Sequence, residues 1–75
     1  MNFQQINDTV SMIRKETFAF CGGSRPTLDE IASFSIILSC FTFNRLPYKT
    51  RLRINHSAWS KIVDNTVKKI ILENF

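Results

Sequence analysis

Thirteen consecutive residues, Ile31 to Phe43, carry no charge, in a chain of only 75 residues. A run of this length is too short to span a bilayer, which takes about 20 residues, so it has to be covered by the rest of the chain or by another molecule. The residues before it say how it starts. In Thr27-Leu28-Asp29-Glu30 the Thr27 hydroxyl can accept from the third backbone amide of a helix while Glu30 reaches back to the amide of Thr27, and both carboxylates favour the positive end of the helix dipole. The Phe, Ile and Thr content would also suit a strand, but the capping box and the length favour a helix to about Phe43. On it Ile31, Phe34, Ile37, Leu38 and Phe41 share a wide face. Ala32, Ser35, Ser39 and Thr42 form a stripe of small residues beside that face, and Ile36, Cys40 and Phe43 fill the remainder. A helix apolar nearly all round is either the centre of the fold or an oligomer contact. Self-association through this second helix is therefore expected.

The flanking segments read as further helices. Asn2 and Gln5 can form a capping box, and Phe3, Ile6, Val10, Ile13 and Phe20 follow helical spacing over about residues 3–20. Gly22 and Gly23 suit a left-handed stop. Asn44 to Pro47 breaks the second helix, because the residue before a proline disfavours helical geometry, and Pro47 fits the first turn of a short helix, Tyr48 to Leu52. The last segment has Ser57 as a cap candidate, then Trp59, Ile62, Val63, Val67, Ile70 and Ile71 on one face. Lys61, Asp64 and Lys68 lie on the other, with Asp64 spaced to pair with Lys68. The expected fold is all-α, a small bundle of three main helices plus one short helix, with residues 1–75 as a single helical domain. No repeat or low-complexity tract interrupts it.

A domain this small buries only about 60–65% of the surface of its unfolded chain. Its 44% apolar content is ordinary for a globular protein and too high for disorder. Cys21 and Cys40 have no partner ligands at zinc-binding spacing. A reduced protein with two buried thiols is the simplest reading, and one disulfide is the other option the sequence leaves open. No charged start precedes an apolar leader segment, so a cytoplasmic location is expected. His56 is the single histidine, placed in an expected exposed turn. Neither paired carboxylates, nor a Ser/His/Asp set, nor a nucleotide-binding glycine pattern accompanies it. The chain is expected to be non-enzymatic and to need no cofactor.

Charge is unevenly placed. Residues 1–44 hold three basic and four acidic side chains and residues 45–75 seven and two, so the net +4 belongs to the C-terminal part. Between Glu30 and Asp64 there is no carboxylate. Arg45, Lys49, Arg51, Arg53, His56 and Lys61 fall in that window and are the candidate nucleic-acid contacts, since such a cluster can neutralise phosphates. A solvated basic face is the ordinary alternative.

Two resemblances bear on function. Leu52, Ile54, Ser57, Trp59 and Ile62 match the turn and second helix of repressor-type helix-turn-helix proteins, whereas Arg53 stands where glycine is usual, Lys49 where a small buried residue is usual, and Val63 where an acidic residue is frequent. More widely, the chain resembles the small all-helical anti-sigma factor family of T-even phages. Asp8-Thr9-Val10, Ile54-Asn55, Trp59, Lys61-Ile62-Val63, Lys68-Lys69, Glu73 and Phe75 carry this likeness in the same order. It implies a protein that docks on a sigma subunit of RNA polymerase through its first helix, here Ile6, Val10, Ile13 and neighbours. Core packing is the other role of that face. Two classes of function thus stand: a helical protein that inhibits or redirects a macromolecular partner by occupying it, and a helix-turn-helix DNA-binding regulator. Protein binding is preferred, because the apolar residues exceed what a monomer of this size can cover. A membrane-surface role ranks third, since the basic cluster adjoins an apolar face instead of lying opposite one.

Overall fold

The structure, a computed structural model, describes the backbone of residues 3–75 and the side chains of residues 7–75. It is an all-α bundle: α1 (Phe3–Cys21), α2 (Leu28–Phe43), the short α3 (Tyr48–Arg53) and α4 (His56–Asn74). The cap expected from Asn2 and Gln5 lies outside the described residues.

Helix boundaries follow local chemistry. Gly22 and Gly23, at φ 58° and 93°, turn the chain out of α1 in the left-handed region, where a side chain would be strained. Thr27 Oγ1 accepts from the Glu30 amide at 3.2 Å, and the Thr27 amide donates to Glu30 Oε1 at 2.9 Å, so the capping box forms with both arms. Pro47 sits one residue earlier than expected, in the extended cap position before α3. The cap of α4 is Asn55, not Ser57: its Oδ1 accepts from the Ala58 amide at 2.7 Å. Asn caps as well as Ser, so the cap falls two residues before the expected one and His56 is the first residue of α4, not part of a turn.

α4 is the central element, which corrects the expectation for α2. It packs on both α1 and α2, while those two meet only briefly. Trp59, Val63, Val67, Ile70 and Ile71 line its inner face against Ile31 and Leu38 of α2, Ile13 and Cys21 of α1, and Leu46 of the connection. Ile62, expected on that face, is 45% exposed. The small-residue stripe of α2 explains why α4 wins the centre. Ser35, Ser39 and Thr42 are buried, and two bonds cross from α4 to them: Trp59 Nε1 donates to Thr42 Oγ1 at 3.0 Å, and Ser60 Oγ donates to Ser39 Oγ at 3.1 Å. Three of the four residues in the stripe expected to serve self-association are therefore used within the monomer, and Ala32 stays exposed.

α1 keeps Ile13 of the expected face inside but leaves Val10 and Phe20 of that face at the surface. Among the described residues its buried positions are Thr9, Ile13, Thr17 and Cys21, four residues apart, while Val10 and Phe20 are 47% and 36% exposed. Threonine is admitted because its hydroxyl can bond back along the helix, as Thr17 Oγ1 does to the Ile13 carbonyl at 2.7 Å, leaving the methyl to pack. Both cysteines are free: Cys21 is buried, and Cys40, expected inside, is exposed. Among the described residues no helix is long and apolar enough to cross a membrane.

Candidate functional site

With α4 covering the small-residue side of α2, the opposite side of α2 is left uncovered. Ile36 and Ile37 are 64% and 68% exposed, Phe41 is 49% exposed, and the free thiol of Cys40 lies among them. Beside them the rings of Phe20 and Phe34 stack at 4.2 Å between centroids, with 2° between planes. This pair closes one wall of an open groove of about 460 Å³ that reaches Ile37 and the start of α2 at Asp29 and Glu30. The Glu30 carboxyl is held below its usual range, chiefly by the Thr27 amide and then by the Thr27 hydroxyl, so it is ionised at the rim. Burial pushes the Cys21 thiol up, which disfavours its thiolate.

The second surface is the edge formed by the end of α2, its connection and α3. Arg45, Lys49, Arg51 and Arg53 are all exposed there, and among the described residues none of them is in an ion pair. Two guanidinium groups lie over exposed rings, Arg45 at 4.5 Å from the Phe41 centroid and Arg51 at 5.9 Å from that of Tyr48. His56 joins this edge by an edge-on contact with Phe43, 5.1 Å between centroids, and its Nδ1 is 3.4 Å from Ser60 Oγ. Lys61 is elsewhere: it lines a groove of about 320 Å³ between α2 and α4 together with Ser35 and Asp64. Asp64 itself pairs with Lys68 at 2.8 Å, as its spacing led us to expect.

The residues expected to contact a protein partner separate. Ile13 is 1% exposed and belongs to the core, Val10 is half exposed, and the side chain of Ile6 lies outside the described residues. The docking face suggested by the first helix is thus split between interior and surface. The outward face of α2 was present in the sequence as Ile36, Ile37, Cys40 and Phe41, but a helix apolar all round has no periodicity to say which side stays outside. Among the described residues no group of three or more His, Cys, Asp or Glu side chains is arranged to hold a metal ion.

No family model matches the chain, and neither a curated relative nor a similar solved structure is found.

Proposed function

We propose that this chain is a small non-catalytic helical protein that acts by docking on a partner protein through the outer face of α2. The observation that carries the reading is the exposure of Ile36, Ile37 and Phe41 on one side of a well-capped helix, with the Phe20 and Phe34 rings alongside. Scattered exposed hydrophobes are ordinary, but a contiguous apolar helix face marks an interaction site. An amphipathic helix of the partner fits such a face, with apolar anchors at helical spacing. The resemblance to the anti-sigma factor family makes a sigma subunit of RNA polymerase the partner to test, with inhibition or redirection of transcription as the consequence.

Packing supports this reading over the helix-turn-helix one. A repressor-type unit holds its first helix against its recognition helix, whereas α3 buries none of its residues and Leu52 is 68% exposed.

Ile37→Asp tests the proposal. Covering one isoleucine contributes about 1.5–3 kcal/mol, so the variant should bind a purified sigma subunit at least tenfold more weakly, read by titration calorimetry on the unlabelled chain, with an unchanged melting temperature. Equal binding by parent and variant would reject the α2 face. Failure of the parent to bind, with sedimentation showing a dimer that Ile37→Asp dissociates, would replace the partner by a second copy of the chain.

A further inference from the structure

The edge at α3 adjoins the α2 docking face at Phe41 and carries cations and a second ring, Tyr48, that the docking face does not use. Four cations fall between residues 45 and 53, all exposed, with no carboxylate from residue 31 to residue 63. Interleaved with them are two exposed rings, Phe41 and Tyr48, each with a guanidinium over it. A plain solvated basic face requires the cations but not the rings. Tyr48 is 68% exposed on a helix that buries nothing, so folding does not explain its position.

We infer that this edge binds single-stranded nucleic acid, the arginines and lysine neutralising phosphates and Tyr48 and Phe41 stacking on unpaired bases. Single strands suit it better than a duplex for two reasons. Unpaired bases present their faces to an aromatic ring, whereas in a duplex those faces are already stacked on one another. Reading a duplex groove takes a firmly supported helix, and α3 has six residues and no buried side chain. Arg45 and Arg51 are placed to act twice, as phosphate contacts and as caps that hold each ring by cation–π attraction while leaving its other face to a base.

The test is fluorescence anisotropy with labelled oligo-dT and oligo-U of about 12 nucleotides, within the span such sites cover, and with a duplex of the same length. The parent should bind both single strands at low salt and the duplex more weakly. Tyr48→Ala should weaken binding about 5- to 150-fold, the loss of one stacked base. Arg51→Gln should reduce the salt slope by about 0.7, one phosphate contact on a single strand. Ile37→Ser, which removes the docking side chain without adding a charge one turn from Phe41, should leave all of these values unchanged, which separates this site from the docking face. No binding at low salt overturns the inference, and so does an unaltered affinity of Tyr48→Ala, which would reduce the edge to a nonspecific polycation. Tighter binding of the duplex overturns it in favour of groove recognition. A preference between oligo-dT and oligo-U would identify DNA or RNA as the natural strand.

Discussion

Trp59 connects the two most closely packed helices through a short relay: its indole N–H donates to Thr42 Oγ1, and that hydroxyl donates to the Leu38 carbonyl at 2.7 Å. The ring is 8% exposed. Trp59→Ala is expected to cost about 3–5 kcal/mol, out of a total of about 4–11 kcal/mol for a domain of this length. Thr42→Val keeps the shape but leaves the buried indole N–H without an acceptor, a loss of about 1–3 kcal/mol. Combining Thr42→Val with Trp59→Phe should cost less than the sum of the single changes, because both partners of the bond are then gone. Urea denaturation of the four proteins measures this. A Trp59→Ala variant that melts within a few degrees of the parent would show the ring to be dispensable. That Trp59 is a core anchor was legible from its spacing with Val63, Val67 and Ile70. Its bond to Thr42 was not, because the two residues are 17 positions apart and only packing aligns them.

Among the elements, α2 owes its start to local chemistry and its orientation to α4. Thr27→Ala removes one arm of the capping box and is expected to cost about 1 kcal/mol. Glu30 forms the other arm, and its lowered folded pKa fixes the sign of a pH effect. Its contribution is fully present above the ordinary glutamate value of about 4.3 and is lost as the pH falls through the lower folded value. Thermal melts of parent and Glu30→Gln should therefore differ at neutral pH and converge in acid. Convergence at neutral pH instead would mean that the carboxylate adds nothing beyond its hydrogen bond. Capping was readable because it involves residues three apart. The cap of α4 was less so: Ser57 was expected, but Asn55 is equally competent and prevails where Ile54 and Asn55 adopt extended backbone before the helix.

At the scale of the molecule, two helices of 19 residues set the long dimension. The radius of gyration is 12.3 Å, against about 11 Å for a compact chain of this length. An elongated bundle with α4 in the middle protects its parts unequally. Amide exchange is expected to be slowest at Val63, Val67 and Ile71 of α4 and at Leu38 of α2, and fastest in α3, which has no buried residue to hold it closed. Hydrogen exchange followed by NMR resolves this order. Protection in α3 equal to that in α4 would show that the short helix is bound into the core and would weaken both its exposure and its assignment to a strand-binding edge.

The sequence by itself determined what depends on neighbours within a few residues: four helices, the glycine stop after α1, the capping box of α2, the Asp64–Lys68 pair and the carboxylate-free basic stretch. Only the tertiary structure decided which faces are inside. α1 buries Thr9 and Thr17 with Ile13 and leaves Val10 half in water, and α2 buries Ser35, Ser39 and Thr42 with Ile31 and Leu38 while Ile36, Ile37 and Phe41 stay at the surface. Close approach of two helices selects small side chains at the contact, and their hydroxyls bond across it or back along their own helix. Hydrophobicity read along the chain ranks Ile37 above Ser39. Geometry reverses that order: Ser39 is buried and accepts from Ser60 of α4, whereas Ile37 stays 68% exposed.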